Sequence, residues 1–484
     1  MTRLIVGPFN RVEGDLEVKL DIADGMVREA RVVSVLYRGF EQILYGKPPF
    51  DALVYAPRIC GICSVSQSVA AARALADAMG LEAAPNGRLA ANLIHATENV
   101  ADHLTHFYLF FMPDFARDVY AGEHWYPAAA ERFAAIRGTA VRDVLPARAQ
   151  FMHILGILAG KWPHTLTIQP GGSTRAVAAN ELARLAAILA GFRHFLQRTV
   201  FGDTLERVVA LASNDELCAW ADERPADSSD FRHFLHISQA IGLDRLGRFA
   251  GPFMSYGAYA DEGGHLFRPG VLAKGSVGEV DVAAIAEDVG HAWYAQGGDA
   301  RAPFDGETLP DADHAAGYSW CKAPRLGGGV VEVGALARQS VAGHPLIRDL
   351  IGRSGGSNVH ARVVARLLEI AAVVIAMEDW VGALDPDSRF IEHGSMPDEA
   401  RGFGLTEAAR GSLGHWLSVR NGRIANYQII APTTWNFSPR DSSGTPGALE
   451  QALVGAPVRE GEREPVSVQH VVRSFDPCLV CTVH

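Results

Sequence analysis

The chain has 484 residues and a formal net charge of −11, with 48% apolar and 20% charged residues. That length allows about three domains or one large entwined unit with a substantial core. The acidic balance excludes a nucleic-acid binder, which would carry a basic stripe. Six cysteines are far too few for a disulfide framework, and their pattern favours metal or redox chemistry in a reducing, cytoplasmic compartment.

In chain order, Thr2 to Val6 run into Gly7-Pro8 before any apolar region develops, so no signal peptide is expected. Leu16, Val18, Leu20 and Ile22 alternate on one strand face, Asp24-Gly25 is a hairpin turn signal, and Val27 to Leu36 return. Cys60-Gly61-Ile62-Cys63 follows, and then Ser64 opens an Ala-rich run that stops at Gly80. Serine and glycine are cap signals, so Cys63 is expected beside a helix N-terminus, where the dipole favours a thiolate.

Helical spacing recurs over Leu89–Phe111, Ala140–Ala159, Ala176–Phe201 and Val359–Leu384, lengths that suit a bundle. Residues 223–229 and 459–465 read as exposed loops. The most apolar helical segment, Leu367–Met377, contains Glu369 and is short of the ~20 residues a membrane span needs. No direct membrane insertion is expected, only contact through a partner.

The chemistry sits in two C-x-x-C pairs, Cys60/Cys63 and Cys478/Cys481, the second within the final Asp476-Pro477-Cys478-Leu479-Val480-Cys481-Thr482-Val483-His484. Four soft donors suit zinc, an iron–sulfur cluster, copper(I) or a nickel/iron centre. Zinc ribbons keep their pairs within a few tens of residues, and these lie at opposite ends of the chain. Cys218 and Cys321 lack a cysteine partner at ligand spacing and are expected to be buried free thiols.

The chain resembles the large subunit of the nickel–iron hydrogenases. The resemblance rests on blocks in order. Arg11-Val12-Glu13-Gly14, Arg38-Gly39-Phe40-Glu41 and both cysteine motifs match, as do Ala101-Asp102-His103, Gly160-Lys161-Trp162-Pro163-His164 and Pro170-Gly171-Gly172. Further blocks are Lys322-Ala323-Pro324-Arg325, the run Arg410 to Trp416, and Pro432-Thr433-Thr434-Trp435-Asn436.

The resemblance implies a mainly helical fold with small antiparallel β-sheets and a long-helix bundle core. It forms one entwined unit over 1–484, β-rich over 1–45 and helical over 46–484, with a metal-binding tail. It implies a Ni-Fe(CN)2(CO) centre held by the four cysteines, with Cys63 and Cys481 bridging and Cys60 and Cys478 terminal on nickel. Heterolytic splitting of H2 leaves a proton that passes to Glu13. The plain alternative for Glu13 is a strand-end carboxylate paired with Arg11.

Arg410 takes the place of the family's arginine above the open metal position, flanked by Asp102 and Asp476. Ala409 stands where the family has proline, so a less rigid surrounding is expected there. Glu41, the Ile429 carbonyl and His484 imply a Mg2+ ion, although histidine is an unusual ligand for it. No further cysteine set is present for iron–sulfur clusters, so electrons are expected to leave through a small subunit that carries them.

Gln67 stands where most hydrogen-oxidising members have histidine, and Ile62 and Phe110 are bulky where valine and leucine are common. The hydrogen-sensing regulatory members share all three. There the bulky pair narrows a gas channel, which implies low turnover, O2 tolerance and a signalling histidine kinase downstream. The end at His484 fits either a tail never encoded, as in the sensors, or a processed form. The alternatives are an uptake hydrogenase, a structural zinc protein, and a metal-free relative such as the quinone-pocket subunit of respiratory complex I. The four cysteines argue against the last.

Overall fold

The computed structural model describes residues 2–261, 263–295 and 299–484. The N-terminal hairpin forms as its alternation predicts: Leu16–Ala23 pairs antiparallel with Met26–Ser34, and Thr2–Val6 adds a third strand. Leu16, Val18 and Leu20 are fully buried, while Ile22, beyond a register shift, is half-buried. The turn works because Asp24 and Gly25 both take positive φ, 54° and 67°, as a two-residue hairpin with right-handed strand twist requires.

The four helical segments are present, with ends adjusted by local chemistry. Pro85–Thr105 runs on into a π-turn at His106–Phe111, and Ala179–Phe195 into another at Leu196–Phe201. The segment expected over 140–159 is two helices, Ala140–Phe151 with Pro146 inside and His153–Leu158, separated at Met152. Val359–Ala383 is capped by the Asn358 side chain, which accepts from the Ala361 N–H. It packs against Pro85–Thr105, Ala179–Phe195 and Ala335–Ala342, the helical centre of the molecule. Residues 223–229 and 459–465 are largely exposed.

The paired strands among the described residues form small antiparallel sheets around the bundle. The sheet Ala400–Ala408, Gly411–Arg420, Arg423–Ile430 lies directly on the helix Ser64–Met79. The helix contributes Ala70, Ala74 and Ala78; the strand contributes Gly402 and Gly404. A Cβ on Gly404 would sit 2.0 Å from the Ala70 carbonyl oxygen, so the backbones touch only because both faces are small. One buried apolar cluster runs from Val6 to Cys481 and includes all four motif cysteines. Among the described residues no helix is long and apolar enough to cross a membrane.

Candidate metal centre

Each cysteine pair is placed by a chain turn. Cys60 is extended after the short turn Ala56–Ile59, and Cys63 is itself the residue preceding the helix Ser64–Met79. The helix N-terminus is not satisfied by Ser64, as the sequence suggested. The Glu98 carboxylate accepts from the Val65 and Ser66 N–H groups at 2.8 and 2.9 Å, and from the Trp162 indole N–H. Burial pushes Glu98 up to about 7 despite these donors. Gly80 ends the helix in the left-handed conformation, as expected.

At the other end, Cys478 precedes the short helix Leu479–Thr482, which carries Cys481. This segment is stitched to the N-terminus: Leu479 N–H donates to the Glu13 carbonyl at 2.7 Å, and Glu13 N–H to the Pro477 carbonyl.

The two pairs meet. Sγ of Cys63 lies 3.0 Å from Cys481, Cys60 3.5 Å from Cys478, and Cys478 3.3 Å from Cys481. All four sulfurs lie within 4.8 Å of one another and are buried. Contacts from Cys478, Cys481 and Cys63 hold the Cys60 thiol well below its usual range. Contacts from Cys478, Cys481 and Cys60, together with burial, push Cys63 well up. Contacts from Cys478 and Cys60, with burial, push Cys481 well up against an opposing contact from Cys63. Four thiolates this close repel, so only a cation among them allows all four to ionise. The donor set therefore fits a soft or borderline metal.

Beside the sulfurs, Arg410 occupies the two-residue turn between strands Ala400–Ala408 and Gly411–Arg420. Its guanidinium donates to Asp102 Oδ2 at 3.0 Å and Asp476 Oδ1 at 3.3 Å, with all three side chains buried. Burial raises Asp102 well above the carboxylate range. It opposes ionisation of Asp476 too, but Arg410, His106 and Arg366 hold that group below its ordinary value. Arg410 Nε and Asp476 Oδ2 have no partner.

The profile of the nickel-dependent hydrogenase family matches residues 38–141 and 230–484. The chain belongs to the nickel-dependent hydrogenase family. It is 30% identical to the periplasmic [NiFeSe] hydrogenase large subunit of Desulfomicrobium baculatum, covering all of this chain and 95% of that one. The hydrogenase-1 large chain of Escherichia coli K12 is 29% identical, again over 100% and 95%. The reduced Ni-Fe-Se hydrogenase from D. vulgaris Hildenborough superposes with a TM-score of 0.85 at 30% identity, with full coverage of both chains. This hydrogenase-family chain carries cysteine at all four clustered positions.

Within the hydrogenase fold the other expected residues fall as follows. Glu13 is half-buried; burial raises its carboxyl, Cys60 adds to the rise, and Arg410 and Arg38 oppose it. Arg11 does not pair with it, but bonds Asp114 and the Phe110 carbonyl. Glu41 Oε1 lies 3.2 Å from His484 Nε2 and accepts the Ile429 N–H at 2.8 Å. Burial opposes ionisation of Glu41, yet the Lys322 ammonium and His484 bring it down to about 2. Gln67 donates to Cys481 Sγ at 3.8 Å. Ile62 and Phe110 are each half-buried, with Ile62 against the core beside Cys60.

Two expectations change. Cys218 is exposed, not buried, because the helix Asn214–Asp222 presents it outward; Cys321 is buried as expected. The segment at Ala409 is not loose. Arg338 donates to the Ala408 and Ala409 carbonyls at 2.8 and 3.1 Å while ion-paired to Glu369 and Glu407, all of them buried. Those pairs, Glu98, and the residues behind Gln67 carry no local signature, since their partners lie far away in the chain.

Proposed function

We propose that this chain is the active-site subunit of a nickel–iron hydrogenase that splits H2, acting as a cytoplasmic H2 sensor. The convergence of four sulfurs from opposite chain ends beside a buried arginine–carboxylate group carries the reading. Cys60, Cys63, Cys478 and Cys481 would hold the metals. A nickel–iron centre bound there would supply the Lewis-acid chemistry that polarises H2 for heterolytic cleavage.

The residues handle the proton. The thiolate of Cys60 or Cys478 would take it first. Glu13 receives it next: its carboxyl is raised by burial and by Cys60, and its backbone is bonded to the Cys478 segment. Arg410, fixed by Asp102 and Asp476, keeps a permanent positive charge beside the sulfurs and orients groups bound there. Glu41, His484 and the Ile429 carbonyl would hold Mg2+; the carboxylate, already ionised, supplies a hard oxygen donor.

The sensor reading is supported by Gln67 beside Cys481 Sγ and by the bulk of Ile62 and Phe110. An exposed free Cys218 fits a reducing cytoplasm. Leu36, Ile43, Tyr45, Phe50 and Val54 are exposed apolar residues just ahead of Cys60, which suits docking of an iron–sulfur small subunit. An H2-responsive histidine kinase would then read the redox state. An uptake hydrogenase is the second reading, favoured by similarity to the uptake hydrogenase large subunit of Afipia carboxidovorans, 28% identical.

Elemental analysis with infrared spectroscopy of the purified complex tests the centre. Nickel plus iron with CO and CN stretches is expected; zinc alone would end the proposal. Turnover under H2 and H2-dependent kinase autophosphorylation separate sensor from uptake enzyme.

A further inference from the structure

Behind Gln67 lies a buried polar chain that the reaction as described does not use. Gln67 is fully buried on the helix Ser64–Met79 and faces two things at once. Its Nε2 is 3.8 Å from Cys481 Sγ, and its Oε1 is 2.7 Å from His415 Nε2. His415 Nδ1 in turn is 2.8 Å from the Tyr427 hydroxyl. His415 and Tyr427 sit on neighbouring strands, where Leu417 is opposite Tyr427, making the two a diagonal pair on one sheet face. The close approach through Gly402 and Gly404 brings this face to the helix.

The directions of these hydrogen bonds follow from the sulfur. A thiolate only accepts, so Gln67 must turn its NH2 toward Cys481 and its carbonyl oxygen away. That oxygen then needs a donor, which forces the His415 proton onto Nε2. Nδ1 is left as an acceptor, and the Tyr427 hydroxyl donates to it. A neutral imidazole offers one proton and one lone pair, which is what the two partners of His415 require. With the opposite tautomer Gln67 would donate to the ring and aim its oxygen at sulfur, lone pair against lone pair.

We propose that His415 and Tyr427 are positioning residues that lock the Gln67 amide with its NH2 on Cys481, and so set the electron density of that sulfur. This rests on the metal-centre reading above. The same hairpin carries Ile429, directly opposite His415, whose N–H holds Glu41.

The test is a double-mutant cycle on the assembled, metal-loaded complex, read by nickel content, the nickel EPR spectrum and the nickel redox equilibrium. Gln67→Leu removes the donor; His415→Leu frees the amide to rotate. Each is expected to retain nickel, to alter the spectrum in the same way, and to shift the equilibrium up to about tenfold, about 59 mV for one electron. His415→Leu is expected to add nothing in the Gln67→Leu background, because its effect runs through the amide. His415→Gln, which keeps an N–H donor, should restore the wild-type spectrum, and Tyr427→Phe should give a smaller shift that also vanishes with Gln67→Leu.

Additive effects, or an unmoved spectrum in His415→Leu with nickel retained, would overturn the proposal. If His415→Leu does not fold, Tyr427→Phe with Gln67→Leu decides it by the same rule. Wild-type complex without nickel would instead sink the metal-centre reading, a distinct result.

Discussion

Gly404→Ala tests whether the metal site depends on backbone contact between helix and sheet. The added Cβ would meet the Ala70 carbonyl oxygen at 2.0 Å and the Ala74 nitrogen at 2.4 Å, whereas ordinary contact begins at 3.4 Å. Both atoms are helix backbone, so no side chain can swing aside and the helix must retreat by more than an ångström. Overpacking of this kind costs about 1–3 kcal/mol, at the upper end where backbone resists. The retreat also carries Cys63 and Gln67 away from Cys481, now 3.0 and 3.8 Å away.

Thermal unfolding and nickel content should therefore fall together in Gly404→Ala. Gly191→Ala is the control: it lies in the helix Ala179–Phe195 with nothing within 4 Å of the added carbon. It should leave nickel unchanged and raise stability by up to about 1 kcal/mol, the helix propensity gain. A Gly404→Ala protein with wild-type melting and full nickel would refute the contact argument.

Glu13→Gln should keep the metals and lower H2-dependent turnover about 10²-fold or more, the usual weight of a positioned proton acceptor; unchanged turnover removes Glu13 from the route. Arg338→Ala leaves Glu369 and Glu407 buried without their cation, and denaturant unfolding should show a loss of about 3–5 kcal/mol. Glu450 is buried, its Oε2 accepts no hydrogen bond and lies 4.0 Å from Arg440 Nε, and burial raises it to about 7. The folded state then binds more protons than the unfolded one between pH ~4.5 and ~7, so stability falls as pH rises through that window, by at most about 1.4 kcal/mol per unit. Glu450→Gln should flatten that part of the pH profile, as checked by urea midpoints. Replacing Ile62 and Phe110 with Val and Leu should raise inactivation by O2; an unaltered O2 response would count against the channel reading.

The four clustered cysteines were legible because C-x-x-C spacing is a local signature, and so was the helix that begins after Cys63, from its small-residue run and Gly80. The cap was not. Glu98 belongs to another helix, and nothing near Ser64 announces it. The break at Met152 and the π-turns interrupt segments that apolar periodicity draws as continuous α-helix, since periodicity counts side chains and ignores backbone hydrogen bonds. Ala409 looked like a loss of rigidity, because the Arg338 contacts that hold it come from a helix about seventy residues earlier. Cys218 was misjudged because composition gives a cysteine's usual burial and not the side of the helix it occupies.

The amino-acid order by itself determined which donors exist: four thiols in two pairs, and strands and helices whose patterns are short-range. Only the folded chain decided that Cys60 and Cys478, 418 positions apart, touch, and that Gln67 reaches His415 across 348. Coordination and hydrogen bonding are set within a few ångströms, and a chain this long brings remote residues that close only when its whole core packs. Donor chemistry is thus written locally, whereas the distances that make it a site are a property of the packed molecule.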